Sequence, residues 1–110
     1  MTVRELSESL GLTVLSMKEE ETQITGPYCC DLLSIAMGNA PAGCAWCTVM
    51  SNMNTLAVAS LADAACVILC SGVRADDALK QKAAVQGINL LSTSEAIFPT
   101  ALAIWQKLHD

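Results

Sequence analysis

Histidine, aromatic rings and clustered positive charge are all scarce in this chain of 110 residues. His109 is the one histidine and lies next to the last residue, where a chain end usually frays. No Ser-His-Asp or Cys-His arrangement can be built around it, so hydrolase chemistry is disfavoured. There is no GxxxxGK[ST] stretch, which excludes a nucleotide-hydrolysing phosphate loop. The six basic residues are spread from Arg4 to Lys107 in a chain of net charge −5, so no stripe tracks a phosphate backbone and nucleic acid is not expected as a partner. Long apolar runs are missing too. Leu56 to Cys70 is interrupted by Asp63 and falls short of the roughly 20 residues that span a bilayer. Arg4, Glu5 and Glu8 occupy the first turns in place of an apolar signal core, so the expectation is a cytoplasmic protein that is neither exported nor membrane-bound.

What the chain has in quantity is apolar side chains, 53% of all residues against 15% charged. That is rich for a small free-standing domain, and it suggests that part of the apolar surface is covered by a partner, most simply a second copy in a homodimer. The length suits a single domain over residues 1–110. Six cysteines would form a disulfide framework in a secreted domain, but a reducing compartment makes free thiols the default.

Local signals order the elements. Thr2 and Glu5 have capping-box spacing, followed by Val3, Leu6 and Leu10 on one helical face and by Gly11 as a stop. Leu12 to Met17 reads as a strand, Lys18 to Glu21 as a charged turn, and Thr22 to Thr25 as a second extended piece broken by Gly26 and Pro27. Asp31 is placed in the first turn of a helix through Leu32, Leu33, Ile35, Ala36 and Met37, stopped by Gly38 and Asn39. Cys44 to Met50 and Ala65 to Cys70 read as buried strands, with a helix through Leu56 to Leu61 between them. Asp76 or Asp77 opens a further helix closed by Gly87, and Ile88 to Leu91 follows as a strand. Ser92 and Glu95 repeat the capping-box spacing ahead of a last helix carrying Ile97, Ala101, Ile104, Trp105 and Leu108, with Pro99 in its first turn. The alternation predicts an α/β fold of three layers, a mainly parallel sheet with helices on both faces.

In such a sheet ligands approach the carboxyl ends of the strands, where helix amino termini offer free N–H groups. Three of these ends are polar: Ser51, Asn52 and Asn54, then Ser71 and Gly72, then Ser92 to Ser94. They could gather in one cleft for a small anion, or simply cap helices, since capping alone selects Ser and Asn. Cys44 and Cys47 have the spacing of a metal or redox pair, yet on a strand residues three apart point to opposite faces. Cys66 and Cys70 share a face but are separated by roughly 13 Å at about 3.3 Å per residue, too far to chelate one ion. Cys29 and Cys30 are adjacent and point apart. Structural burial is the plain reading of the cysteines, and an iron-sulfur cluster bridging strands or subunits is the alternative.

These residues resemble the DRTGG domain family, which is similar to the amino-terminal domain of HPr kinase/phosphorylase. The resemblance runs through Gly26, Asp31-Leu32-Leu33-Ser34, Met37-Gly38-Asn39-Ala40, Trp46, Asn54 with Ala57-Val58-Ala59, Cys70-Ser71-Gly72, and Gly87-Ile88 to Ser92. The pentapeptide that names the family is absent, and Cys70-Ser71-Gly72 stands where Thr-Gly-Gly is typical. The resemblance implies a three-layer α/β fold and a non-catalytic role in regulation or dimerisation. No kinase catalytic domain accompanies it, so the expectation is that the chain is not an enzyme. Similar domains sit beside cystathionine-β-synthase modules in regulated pyrophosphatases, and stand-alone members accompany iron-hydrogenase genes. The second implication keeps a thiol or iron-sulfur redox accessory open as the alternative function. The candidate ligand set is Asp31, Asn39, Ser51, Asn54, Ser71, Gly72 and Ser92, for a small anionic ligand or a partner protein; Cys44 and Cys47 are weak metal candidates.

Overall fold

Thr2 starts the first helix as its residue type predicts: its Oγ1 accepts from Glu5 N at 3.1 Å while Thr2 N donates to the Glu5 carboxylate at 2.8 Å. In this computed structural model, which describes all 110 residues, the helix α1 (Val3–Leu10) ends at Gly11, whose φ of 63° places it in the left-handed region. There follow β1 (Thr13–Ser16), β2 (Gly26–Cys29), α2 (Leu33–Asn39), β3 (Cys44–Thr48), α3 (Met53–Ala62), β4 (Cys66–Leu69), α4 (Asp77–Gln86), β5 (Leu90–Ser92) and α5 (Ile97–Leu108). The strands form one sheet in the order β1-β5-β4-β3-β2. Every pairing from β2 to β5 is parallel, and β1 alone runs antiparallel, against β5. The expected α/β fold with a mainly parallel, helix-covered sheet is thus present.

Alternation along the inner strands divides the core in two. Ala45 and Cys47 of β3 and Cys66 and Ile68 of β4 meet Val3 and Leu6 of α1 and Ala101 and Ile104 of α5. Cys44 and Trp46, with Val67 and Leu69, face the other way onto Ala36, Leu56, Ala59, Leu79 and Ala83 of α2, α3 and α4. All five residues of β3 and all four of β4 are buried, as strands covered on both faces require.

Several local expectations give way to tertiary demands. Gly26 and Pro27 do not break a strand; they begin β2, while of the preceding segment only Gln23 pairs, in a single bridge to Thr2. β2 is an edge strand, where a proline lacking an N–H is tolerated. Asp31 lies ahead of α2, which opens at Leu32 without a side-chain cap, because its carboxylate is engaged elsewhere. The second capping box does not form: Ser92 is the last residue of β5, Thr93 Oγ1 takes the Glu95 N–H at 3.2 Å, and α5 begins after Ala96. Pro99 is the third residue of α5, where no backbone N–H is needed for the helix. β3 stops at Thr48 because its hydroxyl accepts from Met50 N at 3.2 Å and turns the chain. β5 starts at Leu90 because Ile88 N is still bound to Ala83 O of α4.

Candidate ligand-binding rim

The carboxyl ends of β2, β3, β4 and β5 share one rim, and its geometry is set by long-range hydrogen bonds. Asp31, just after β2, accepts from the Thr48 hydroxyl at 2.6 Å and from Val49 N at 2.9 Å, which ties β2 to the end of β3. The Ser51 hydroxyl donates to Arg74 O at 2.5 Å and so joins the loop after β3 to the loop after β4. Asn52 caps α3 through Thr55 N at 3.2 Å. Asn54, by contrast, lies within the first turn of α3 with its side chain exposed. Arg74 brings an exposed guanidinium to the rim, and it makes no ion pair, both ion pairs of the chain belonging to Arg4.

The end of β4 is built differently. Ser71 and Gly72 follow one another in the left-handed region, at φ 60° and 68°. That conformation turns their N–H groups onto Glu95 O at 2.7 Å and Thr93 O at 3.0 Å. Those donors are therefore spent on holding the β5–α5 loop, and the Ser71 side chain is what remains outward. Ser92 ends β5, half-buried and paired with Leu69 and Thr13. Asn39 stands apart from the others. It ends α2, at the start of the connection into β3 and so at the opposite edge of the sheet from Asp31, and its side-chain amide donates to Ile35 O at 2.9 Å.

Ser51 is thus brought to the loop of Arg74, and Asp31 to Thr48, whereas Asn39 leaves the set. Thr48 and Arg74 belong to the rim without a signal in the sequence, whereas Thr93 lies within the polar Ser92 to Ser94 end expected there. Their importance arises from partners 17 to 24 residues away in the chain, a relation with no local signal.

Of the residues named at this rim, Thr93 and Glu95 alone line any of the three cavities of the fold. One of about 170 Å³ is lined by Glu19, Ser60, Asp63, Gln86 and Asn89 near the opposite edge of the sheet. A second of about 210 Å³ lies between Leu10, Leu12, Thr93, Glu95, Pro99 and Thr100. The third, about 290 Å³, is a groove between α3 and α4 at Met53, Gln81, Lys82 and Val85. None of the candidate ligand residues lines any of them.

The six cysteines are all free. Cys44 and Cys47 point to opposite faces of the sheet and lie in separate halves of the core, so they share no ion. Burial raises the Cys44 thiol to about 11 and the Cys66 thiol higher still. No group of three His, Cys, Asp or Glu side chains is arranged to hold a metal ion. Cys47 and Cys70 lie in the same half of the core beneath α5, their thiols directed to Ala45 O and Ile68 O, and the nearness of the two sulfurs holds Cys70 below and Cys47 far above the ordinary thiol range. No helix is long and apolar enough to cross a membrane.

No family model matches the chain. No curated protein matches it either. Among solved structures, the chain is similar to the regulatory region of a pyrophosphatase from Clostridium perfringens, which comprises CBS and DRTGG domains and was crystallised with its activator, diadenosine tetraphosphate. The TM-score is 0.78 at 13% identity, covering 96% of this chain and 46% of that one. This chain therefore spans less than half of that structure's chain, and the likeness is one of fold.

Proposed function

We propose that the chain is a DRTGG-type regulatory module that senses a small anionic ligand and carries out no catalysis of its own. The observation that carries this reading is the overlay of nearly the whole chain on a regulatory region complexed with a nucleotide activator. The rim supports it: parallel strand ends, the amino terminus of α3 and the unpaired Arg74 offer donors to a phosphate. Within this reading, Ser51, Asn54, Ser71 and Gly72 surround the ligand, Ser92 closes the far side, and Asp31 holds the β3 loop in place. The module works in the cytoplasm as a homodimer.

The test is thermal unfolding against a panel of nucleotides that includes ATP and diadenosine tetraphosphate. A ligand at about 100 times its Kd adds about 2.7 kcal/mol to stability, a rise in Tm of roughly 10 °C for a domain of this size. Arg74→Ala is expected to abolish the rise while leaving the Tm of the free protein within about 1 °C, since an exposed side chain without an ion pair contributes little. A flat response across the panel overturns the reading.

A further inference from the structure

Three of the six thiols lie in a row on the α5 side of the sheet, one on each of three neighbouring strands or strand ends. Cys29 of β2 is in register with Cys47 of β3. In-register residues of parallel strands point to the same face. Cys47 is in register with Ile68 of β4, so Cys70 stands two residues further along on that same face. Thr100 of α5 lies against Cys70 from above, its hydroxyl donating to Ala96 O at 2.8 Å. Cys30 and Cys44 are on the other face of the sheet, and Cys66 lies at the far end of β4. Cys29 alone of the row is open to solvent, because β2 is an edge strand.

We propose that Cys29 and Cys47 are an oxidisable dithiol, a covalent modification site at which a hydroperoxide converts the pair to an intramolecular disulfide. Spacing selects this pair. Neighbouring strands lie about 4.8 Å apart, inside the roughly 4.4–6.8 Å between Cα atoms that a disulfide accepts. The diagonal from Cys47 to Cys70 adds two residues of rise, about 8 Å in all, which exceeds that limit. Cys70 is instead a buried neighbour in the same half of the core, its thiol directed to Ile68 O.

The Cys29 thiolate attacks the peroxide O–O bond and becomes a sulfenic acid as one water leaves. Cys47 sulfur then attacks the Cys29 sulfur; the S–S bond forms, the S–O bond breaks, and the Cys47 proton leaves with the oxygen as a second water. Two thiols are oxidised by two electrons and one hydrogen peroxide is reduced to two water molecules. Surrounding protein pushes the Cys29 thiol above its ordinary range, so the rate climbs with pH beyond the usual thiol range.

The experiment uses the fully reduced chain and hydrogen peroxide near stoichiometric concentration, read by intact mass, thiol count and peptide mapping without reductant. The expected result is a loss of about 2 Da, the free thiols falling from six to four, and a single cross-linked peptide pair, Cys29 with Cys47. Cys29→Ser, a change at an exposed site, leaves the circular dichroism spectrum unchanged and removes the cross-link; Cys30→Ser retains it. Six thiols remaining under these conditions, a bond joining any other pair, or a cross-link that persists in Cys29→Ser overturns the proposal. The readout is independent of nucleotide binding, so the ligand-sensing reading stands or fails separately.

Discussion

At the scale of single residues, the polar side chains that matter most are those whose partners lie far away in the chain. Asn89 is buried, with 2% of its surface exposed, and all its polar capacity is used. Its Oδ1 accepts from Lys18 N at 3.2 Å and Glu19 N at 3.1 Å, and its Nδ2 donates to Glu19 O at 2.9 Å and Ala65 O at 3.0 Å. These bonds pin the charged Lys18–Glu21 turn against the start of β4. Asn89→Ala takes the side-chain partner from two donors, Lys18 N and Glu19 N, and from Ala65 O, while Glu19 O keeps Thr22 N, and it is expected to cost about 3 kcal/mol. Asn89→Asp is expected to cost more, because an acceptor then faces two carbonyl oxygens. Chemical unfolding of the two variants checks both the loss and its order; equal stability of the alanine and aspartate forms would contradict it. Asp31 shows the same lesson in the candidate site. Its charge is legible in the sequence, but its attachment to Thr48 and Val49 is not, because spacing alone points it to the dipole of the helix that it precedes.

At the scale of elements, identical local signals have different outcomes. Thr2 with Glu5 and Ser92 with Glu95 share the capping-box spacing, but only the first forms. Ser92 is claimed by β5, whose ladder to β1 and β4 outweighs a cap. Helix ends with a glycine or aspartate signal were legible, as at Gly11, Asp76 and Gly87, because the capping geometry is local. The edge strand β2 was not, since nothing local reveals that Gly26 and Pro27 run beside Cys44 and Ala45. The first capping box also has a pH signature. The Thr2 N–H holds the Glu5 carboxyl below its ordinary range, so the folded form binds that proton less readily than the unfolded chain. The stabilisation is complete above the ordinary glutamate pKa and is lost as pH falls through the depressed value. Hydrogen exchange is expected to show the first turn of α1 losing protection on acidification, measured against α4 as the internal reference, and Glu5→Gln is expected to weaken that dependence.

For the whole molecule, the class of fold was legible from buried strands alternating with helices, whereas strand order and the antiparallel β1 depend on pairings that no segment encodes alone. The same holds for surface. The apolar content pointed to a covered face, but only the fold shows where apolar side chains remain outside. On α5, Ala101 and Ile104 face the sheet, while Phe98, Leu102 and Trp105 follow at helical spacing on the outer side, with Phe98 72% and Trp105 50% exposed. Trp105 also stacks on His109, ring centroids 4.0 Å apart, which fixes its ring as a flat apolar surface. Two such helices crossing antiparallel at Leu102 would set Phe98 of each beside Trp105 of the other, the self-complementary arrangement that a two-fold dimer requires. Sedimentation at micromolar concentration is therefore expected to give a dimer. Phe98→Glu is expected to give a monomer with an unchanged circular dichroism spectrum, because the substituted side chain takes no part in the core. A wild-type chain that sediments strictly as a monomer would refute this assembly, and a dimer that survives Phe98→Glu would move its interface off α5.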